Sequence, residues 1–409
     1  MTLSSAEQYL LELINRARLD PAAEAARYGI ALNAGLSAGS ISTAAKQVLA
    51  PSAQLEQAAV LHSQWMLDND VFSHTGAGGS TPGSRMTAQG YTWFAVAENI
   101  GYNSSSGSVT VEGSIANLYE GLFRSEGHRV NTLNGTYSEV GVGAEAGIYQ
   151  GRNAAMLTED FGARNTGHVL TGVAYADANH DRFYGMGEGT ADVVFAIAAT
   201  SASTAPAGGY GLAAGNGSAV AVTGHQGARN FSLVVDMRPG NVKLDLVNGD
   251  TFYSSGSVTL GSGVNDLVLL GVAPLDGTGS AAANQLTGNK GANTLTGLGG
   301  ADRIIGGGGA DVVHGGTGND VLKGGAGSDS FVFQTLGGQD RVQDFNARTD
   351  ALLLDDALWA GQDLTAAQVV TQFAQLGSGE VLIEFAGGVQ IELNGVTTLA
   401  GLAAAIEIF

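Results

Sequence analysis

The chain has 409 residues and no cysteine, and its 18 lysine and arginine residues are outnumbered by 38 aspartates and glutamates, for a formal net charge of −20. The length favours two to four domains over a single core. The charge disfavours nucleic acids and anionic membranes as partners and favours cations, while the lack of cysteine excludes disulfides, thiolate metal sites and thiol catalysis.

No targeting segment is visible at the start of the chain. The first residues, MTLSSAEQYLLELINRAR, contain no basic stretch followed by an apolar run, so no N-terminal secretory signal is predicted. No apolar run reaches about 18 residues, so no transmembrane helix is predicted. Taken alone, these features are typical of a cytoplasmic protein. The 63 glycines are crowded toward the C-terminus, which indicates a repeat.

The first 160 residues show a mixture of helix and strand patterns, with a strand predicted at VGVGAEAG from Val140. A capping box at Ser4 and Glu7 predicts the start of an apolar helix, and Asp20, which precedes a proline, predicts its end and the N-cap of a second helix. A third helix is predicted over residues 54–70. His62 falls on the apolar face of this helix, so we interpret it as a core histidine.

Five short segments follow one another between residues 5 and 162: LINRARLDP, FSHTG, AENI, SEGHRVN and VGVG. In this ordered set the chain resembles bacterial members of the CAP superfamily, the group of cysteine-rich secretory, antigen 5 and pathogenesis-related proteins. The resemblance implies an α-β-α sandwich over residues 1–163. It also implies a central cleft that carries two histidines and two acidic residues.

The motifs assign His74, Glu98 and His128 to this cleft. The fourth member is Glu120 or Glu126, and the spacing from Glu98 favours Glu120. Glu120 shares a helix face with His128 only if one helix runs through the residues between them. Such imidazole and carboxylate groups suit Zn²⁺ or another divalent ion, with His74 and His128 as ligands, or general acid and base catalysis. They also suit a hydrogen-bonded cleft that only orders the fold.

The resemblance implies a lipid, sterol or peptide as the ligand of this domain and leaves open whether it is an enzyme. Ser73 and Ser125 lie beside the two cleft histidines in sequence, where side chains do not usually face each other. No nucleophile is therefore identified. A binding or interaction module is the leading hypothesis, and a hydrolase that acts by metal assistance or by acid and base catalysis is an alternative.

In residues 164–272 short alternating stretches such as NFSLVVDM and NVKLDLV replace the helical pattern and predict a β-sandwich. The segment GVAYADANHDRFYGMGEG resembles the opening strand and loop of prealbumin-like modules of bacterial surface proteins. Four of its residues match ligand positions of an EF-hand-like calcium loop: Asp177, Asn179, Asp181 and Glu188. Arg182 stands where such loops have glycine, so an ordinary turn rich in Asx residues is the alternative.

From residue 284 the chain repeats every nine residues. Four aspartates define the frame and two asparagines extend it backward: Asp302, Asp311, Asp320, Asp329, Asn293 and Asn284. Two positions after each of them stands an apolar residue: Leu286, Leu295, Ile304, Val313, Leu322 and Phe331. Glycine permits left-handed turns between short strands that bury these apolar residues, and each aspartate directs a carboxylate into a turn. Hard oxygen ligands of this kind suit Ca²⁺.

This nonapeptide resembles the calcium-binding repeat of the RTX family, whose parallel β-roll has two nine-residue units per turn. The resemblance implies several Ca²⁺ ions, in sites that pair Asp302 with Asp320 and Asp311 with Asp329. The turn glycines would complete these sites with their carbonyls: Gly307, Gly309, Gly316, Gly318, Gly325 and Gly327. The repeat that contains Leu298 departs from the pattern, and the two asparagine repeats are degenerate, so weak or no metal binding is expected at the latter.

The segments after the repeats, FVFQTLGGQDRVQDFNARTDALLLDD and AAAIEIF, resemble the C-terminal cap and uncleaved export signal of the same family. They imply an extracellular protein that leaves the cell through type I secretion machinery without an N-terminal signal. The sequence thus predicts a multidomain α+β protein, with a CAP-like domain at 1–163, a prealbumin-like β-sandwich at 164–272 and an RTX β-roll with its cap at 273–409. A structural or adhesive surface protein is the third functional hypothesis.

Overall fold

In the computed structural model, which describes residues 3–409, the first helices begin and end at the predicted signals. Ser4 caps helix α1 (Ser5–Leu19): its Oγ accepts the Glu7 N–H, and the Glu7 carboxylate accepts the Ser4 N–H. Asp20 ends α1 and caps α2 (Pro21–Arg27) with its side chain. The predicted capping box and the predicted break between the helices are both confirmed.

The elements that follow build an N-terminal domain. Its other helices are α3 (Ala53–Asp68), α4 (Pro82–Ala88), α5 (Val111–Arg124) and α6 (Glu126–Thr132). Its strands are β1 (Ala50–Pro51), β2 (Ala95–Ser105), β3 (Glu139–Tyr149) and β4 (Arg152–Ala163). They form one sheet in the order β1-β3-β4-β2, in which β1 and β3 are parallel and the other neighbours are antiparallel.

The VGVG motif lies in β3 and explains how helices cover both faces of this sheet. Val140 and Val142 are buried in the core formed with α1 and α5. Gly141 and Gly143 point to the opposite face, toward α3. A Cβ atom on Gly141 would lie 2.0 Å from the Leu55 carbonyl carbon, and one on Gly143 would meet the α3 backbone as closely, so this approach requires glycine. The predicted α-β-α sandwich is confirmed.

The chain divides into two compact units. The first contains the described residues up to Val220 together with Gly224–Gly227 and Met237–Gly249, and the second contains Ala221–Thr223, Ala228–Asp236 and Asp250–Phe409. The N-terminal domain belongs wholly to the first unit. The finer division into three parts at residues 163 and 272 remains a prediction.

Strands replace helices after the N-terminal domain, as predicted. They are β5 (His168–Tyr175), β6 (Val194–Ile197), β7 (Thr200–Ser203), β8 (Gly209–Gly215), β9 (Ala219–Gln226), β10 (Arg229–Asp236) and β11 (Val242–Val247). In the first unit β5 pairs with β8 in antiparallel and with β11 in parallel orientation, and β6 pairs with β7. All six residues of β11 are buried. Its other four residues are therefore apolar, and only Lys243 and Asp245 are charged.

The second unit is built from short strands. Up to the last repeat they are β12 (Thr251–Ser254), β13 (Val258–Leu260), β14 (Asp266–Leu269), β15 (Asp276–Thr278), β16 (Gln285–Thr287), β17 (Thr294–Gly299), β18 (Arg303–Gly308), β19 (Val312–Thr317), β20 (Val321–Ala326) and β21 (Ser330–Phe333). The cap contains β22 (Gln339–Val342), β23 (Ala351–Leu354), α7 (Ala366–Phe373), β24 (Ala374–Leu376), β25 (Glu380–Glu384), β26 (Gln390–Asn394) and β27 (Ile406–Ile408).

These strands form two rows of parallel neighbours. One row runs from β12 through the even-numbered strands to β22 and β26, and the other runs from β13 through the odd-numbered strands to β23 and β27. The register aligns residues 18 apart, as for Leu286, Ile304 and Leu322, so each turn contains two nine-residue units. The predicted β-roll is confirmed, and the six apolar residues of the frame are fully buried.

The rows extend beyond the nine-residue repeat at both ends. Upstream, Phe252 aligns with Leu267, and Leu267 aligns with Leu286, so strands without the glycine pattern already stack in parallel. Downstream, β24, β25 and β26 form an antiparallel meander at the end of one row. The roll is therefore longer than the repeat from which it was predicted.

Candidate functional site

The four frame aspartates, Asp302, Asp311, Asp320 and Asp329, stand between a glycine turn and the next strand and are no more than 2% exposed. Each uses its Oδ1 atom to accept the backbone N–H of the residue 18 positions earlier, at 2.7 to 3.0 Å. The donor to Asp320, for example, is the N–H of Asp302, and the metal site predicted for this pair stays a prediction. One carboxylate oxygen thus fixes the register between successive turns of the roll.

The second carboxylate oxygen is buried without a hydrogen-bond partner in Asp302, Asp311 and Asp320. The chain leaves a space beside this second oxygen that other oxygens also face. At Asp311, for example, a Cβ atom on Gly306 would lie 2.4 Å from Oδ2 and 2.5 Å from the Gly324 carbonyl oxygen. A buried carboxylate oxygen without a partner is costly and requires an explanation. Carboxylate and carbonyl oxygens facing one space form a donor set that suits Ca²⁺.

The predicted turn glycines have the backbone conformation that explains their residue type. Their φ angles range from 101° to 153° at Gly307, Gly309, Gly316, Gly318, Gly325 and Gly327. The turns also stack too closely for a side chain, because a Cβ atom on Gly318 would lie 1.6 Å from the Gly300 carbonyl oxygen. Leu298, which replaces glycine in this frame, adopts a φ of 75° and remains half exposed. The departing repeat therefore keeps the turn at a cost in backbone strain.

Two further aspartates make the same hydrogen bond to the backbone of the preceding turn, and sequence reasoning missed them. Asp340 Oδ1 accepts the N–H of Asp320 at 2.9 Å, and Asp350 Oδ1 accepts that of Asp329 at 3.3 Å. Both depart from the nine-residue spacing. Each nevertheless keeps the local signature of the frame, an apolar residue two positions later, which could have identified them.

The side chains of the two asparagines at the start of the frame form their hydrogen bonds within the chain. Asn284 Oδ1 accepts the N–H of Ser280 and its amide donates to a backbone carbonyl, and Asn293 bonds in the same way, with Asn289 as the donor. Their side-chain oxygens therefore have partners within the chain. Weak or absent metal binding at these two positions stays a prediction.

In a metal-free solution the β-roll is expected to gain stability as the pH falls from about 7.5 to about 5. Burial raises the pKa of Asp302 and of Asp311 from 3.8 to about 6. A group whose pKa is raised by folding stabilises the fold while it is protonated, and this contribution is lost as the pH rises through the folded-state pKa. Circular dichroism of the full chain in chelator at several pH values measures the effect.

Saturating Ca²⁺ should reverse the sign of this dependence, because metal binding requires the ionised carboxylates. The chain with calcium should therefore become less stable over the same fall in pH. Parallel pH profiles with and without Ca²⁺ would contradict the assignment of these aspartates.

In the N-terminal domain, the predicted cleft is organised around Glu98 on β2, which is 6% exposed. Its Oε1 lies 2.7 Å from His74 Nδ1, and its Oε2 accepts a hydrogen bond from Arg85 Nη2. His62 Nε2 lies 3.9 Å from the same Oε2. The structure thus brings His74 and Glu98 together as predicted and adds two partners, Arg85 and His62, that the motifs did not identify.

Asp160 lies opposite Glu98 in the register of β2 and β4 and is fully buried. Burial and the negative charge of Glu98 raise the pKa of Asp160 well above its usual value. The protonated form of Asp160 is therefore favoured beside Glu98. Sequence reasoning could not find this neighbour, because it follows from strand pairing between residues 62 positions apart.

His128 lies on α6, which packs on β2 through Asn131: the Asn131 amide donates to Asn99 Oδ1 at 2.9 Å. The His128 Nδ1 atom is buried and has no hydrogen-bond partner. Burial, and secondarily the charge of His74, lowers the pKa of His128. His128 therefore lies close enough to His74 for the two rings to interact electrostatically, and its neutral form is favoured.

The fourth predicted member does not join this group. The helix breaks at Ser125, between α5 and α6, so the condition under which Glu120 shares a face with His128 is not met. Glu120 forms an ion pair with Arg124 at 2.7 Å and is 39% exposed. Glu126, the alternative, packs against the loop at Gly35. Among the described residues, the side chain of Glu98 bonds to His74 and Arg85 and to neither of these glutamates.

The zinc prediction for His74 and His128 is not supported. Within residues 3–409, no three side chains of histidine, aspartate or glutamate are grouped so that they could hold one metal ion. The physical reason is that both oxygens of Glu98 already have partners, Arg85 and His74. A calcium site in the glycine turns does not need such a group, because backbone carbonyls supply part of its oxygen ligands.

The EF-hand-like loop lies between β5 and β6. Arg182 adopts the left-handed conformation, with a φ of 64°, that glycine would provide at this position. The predicted ligands accept backbone N–H groups of the loop itself, with Asn179 bound to Asp181 N–H at 2.9 Å and Glu188 to Gly185 N–H at 2.6 Å. Asp177 Oδ1 is buried without a partner. Calcium binding by this loop stays a prediction.

Together, an α-β-α domain with a polar cleft and a roll of glycine turns with buried aspartates define the class of this protein. The family of cysteine-rich secretory proteins matches residues 11–154, and the RTX calcium-binding nonapeptide repeat matches residues 278–313 and 305–333. The chain therefore contains a CAP domain followed by calcium-binding RTX repeats. These two parts fit a secreted calcium-binding protein.

Similarity to individual proteins is local. An extracellular protein with an SCP domain from Bacillus anthracis is 28% identical over 29% of this chain and 35% of its own, with a TM-score of 0.23. This chain thus spans about a third of the Bacillus protein. An outer surface protein from Borrelia burgdorferi is 17% identical, covers 29% of this chain and 78% of its own, and has a TM-score of 0.23.

An extracellular lipase from Serratia marcescens is 15% identical, covers 33% of this chain and 40% of its own, and has a TM-score of 0.20. No curated protein matches the chain. Across residues 3–409, none of the helices is both long enough and apolar enough to cross a membrane.

Proposed function

We propose that this protein is exported through type I secretion machinery, folds its RTX region on extracellular Ca²⁺, and presents the CAP domain to bind an extracellular ligand. The observation that supports the proposal best is the set of buried, unpartnered Oδ2 atoms of Asp302, Asp311 and Asp320. They lie on the same chain as a domain with a partly exposed polar cleft.

The aspartates couple metal binding to folding. When bound, Ca²⁺ supplies positive charge where three buried oxygens have no partner. The Oδ1 atoms meanwhile hold the backbone of the preceding turn, so each carboxylate links a metal site to the register of the roll. Because the sites are complete only in the folded roll, the binding free energy becomes folding free energy. In a cell interior poor in calcium the region stays unfolded and can be exported.

The CAP domain is proposed as a binding module and not as a hydrolase. Both carboxylate oxygens of Glu98 are already engaged, one by His74 and one by Arg85, so neither is free to take a proton from a substrate. Ser73, one of the two serines next to the cleft histidines in sequence, uses its hydroxyl to accept the Thr75 N–H at 3.0 Å. His74, by contrast, is half exposed and available to a ligand.

Export tests the proposal directly. The full chain is expressed in a bacterial host with and without a type I exporter, and the culture medium and cell lysate are compared. The protein should reach the medium only in the host that carries the exporter, and the exported protein should show β-roll structure only in medium that contains Ca²⁺. Equal release from both hosts, or a folded roll in chelated medium, would contradict the proposal.

A further inference from the structure

A polar pocket of about 340 Å³ lies within the first compact unit, away from the group around Glu98. Residues of the CAP domain line it, among them Phe94 and Ser138. The loop between β4 and β5 and the turn between β8 and β9 also line it, through residues such as Asn165 and Asn216. None of its lining residues belongs to the predicted cleft, so the pocket is a second candidate site.

The walls of this pocket are fixed by the fold. Asn241, which lines it, is buried: its Oδ1 accepts the Val169 N–H at 2.8 Å, and its amide donates to the Ser138 carbonyl oxygen at 2.6 Å. A Cβ atom on Gly167 would lie 3.0 Å from Asn216 Oδ1, so the β4–β5 loop and the β8–β9 turn are in contact. The pocket is therefore already formed before a ligand binds, as is usual for binding sites of small molecules.

The charges around the pocket indicate an uncharged ligand. None of its lining residues is an aspartate, a glutamate or a lysine, although the chain contains 38 acidic residues. Its one guanidinium group, that of Arg164, is already paired, because its Nε and Nη2 atoms donate to the two carboxylate oxygens of Glu139 at 2.7 Å each. The pocket thus offers no carboxylate to a cation and no unpaired guanidinium or ammonium group to an anion.

The polar groups that remain in the lining are amides, hydroxyls and one imidazole. Within residues 3–409, the side chains of Asn165, Thr166 and Asn216 form no hydrogen bond with the protein. His168 Nδ1 lies 2.6 Å from the Met237 carbonyl oxygen, which can only accept, so Nδ1 donates and Nε2 is the ring nitrogen left for a ligand. An amide has a donor and an acceptor side by side, and a hydroxyl can be either. Such a set matches neighbouring hydroxyl groups on a ligand.

Phe94 adds an apolar surface to this set. Its ring lines the pocket and is 58% exposed, although it is a large apolar side chain. The face of an aromatic ring is weakly negative and attracts C–H groups, which carry a weak positive charge. A sugar ring presents C–H groups on a face and hydroxyl groups around its edge. The lining therefore has the two features that recognise a sugar.

We propose that this pocket binds one ring of a neutral saccharide, which packs against Phe94 and forms hydrogen bonds with Asn165, Thr166 and Asn216. A water molecule takes about 30 Å³ in the liquid, so 340 Å³ corresponds to about eleven waters, and one hexose ring is of this size. The site is separate from the Glu98 cleft and from the aspartates of the roll. The inference therefore goes beyond the proposed function and depends neither on export nor on calcium.

The test is a titration of the full chain with glucose, galactose, mannose and N-acetylglucosamine, followed by nuclear magnetic resonance of labelled asparagine side chains. At least one of these sugars should shift the signals of Asn165 and Asn216 with a dissociation constant of about 10 mM or lower. Glucuronate and glucosamine, which carry a negative and a positive charge, should bind no more tightly than the neutral sugars. Tighter binding of either would overturn the neutral ligand, and no shift with any neutral sugar up to about 50 mM would overturn the site.

Three variants locate the site. Phe94→Ala should weaken binding of the sugar about threefold to tenfold through the lost ring contact, and it should leave the unfolding midpoint unchanged because Phe94 is exposed. Asn165→Ala should weaken binding at least about threefold through a lost hydrogen bond. Phe72→Ala is the matched control, because Phe72 is also an exposed phenylalanine of the CAP domain but does not line the pocket. Unchanged binding in Phe94→Ala, or equal weakening in Phe72→Ala, would overturn the location.

Discussion

Removing calcium from the full chain at about pH 7.5 is expected to unfold most of residues 251–409 while the CAP domain remains folded. The roll has three buried carboxylate oxygens without partners and many glycines, which lose more backbone entropy on folding than other residues. Within the repeats, each strand from β16 to β20 buries only one large apolar residue. Without the metal these costs exceed the gain from apolar burial, and hydrogen exchange of the full chain in chelator should show the loss residue by residue.

The double substitution Asp311→Asn with Asp320→Asn should raise the Ca²⁺ concentration at the folding midpoint by about tenfold or more. Asparagine retains an oxygen that can accept the N–H of the preceding turn but removes the charge and the second oxygen ligand. Asp363→Asn is the matched control, because Asp363 is exposed and does not belong to the series of stacked aspartates. A far-ultraviolet circular dichroism spectrum that chelator leaves unchanged would contradict the role assigned to calcium.

Gly306→Ala is expected to destabilise the roll by about 2 kcal/mol or more and to weaken calcium binding as well. The added methyl group would lie 2.4 Å from Asp311 Oδ2 and 2.5 Å from the Gly324 carbonyl oxygen, and so would occupy the space between two proposed ligands. Gly306 does not need a left-handed conformation, so the effect is steric. Calcium titration followed by chemical denaturation of the full chain measures both consequences.

Gly308→Ala is the matched control, two residues away on the same strand. Its Cβ atom would lie 3.7 Å from its nearest neighbour, an ordinary van der Waals distance. This variant should differ from the wild type by no more than about 0.5 kcal/mol. Equal effects of the two substitutions would show that the space between Asp311 Oδ2 and the Gly324 carbonyl oxygen has no special role in calcium binding.

The periodic part of the fold could be predicted from the sequence because its physics is local. Asp302 and Ile304 stand in one frame with their equivalents 18 residues away, and the structure stacks them in that register. Asp340 and Asp350 were not predicted, because the connections that precede them are longer than in the nine-residue repeat. A roll tolerates longer connections as long as the aspartate and the apolar residue after it reach the same row of strands. Spacing alone could not reveal them.

The cleft was predictable only in part because its contacts are tertiary. The motifs identified His74 and Glu98, which lie 24 residues apart and meet at 2.7 Å. Asp160 reaches Glu98 through strand pairing, and Arg85 reaches it from α4, and no sequence spacing encodes either contact. The assignment of Glu120 assumed a continuous helix, and the break at Ser125 removed that assumption.

Crystals of the full chain grown with Ca²⁺ test the central claim most directly, through an anomalous difference map that locates the bound ions. Peaks should lie in the glycine turns beside Asp302, Asp311 and Asp320, within about 2.3 to 2.6 Å of a carboxylate oxygen and of turn carbonyl oxygens. Well-ordered turns without peaks, with the Oδ2 atoms of these aspartates still unpartnered, would contradict the account.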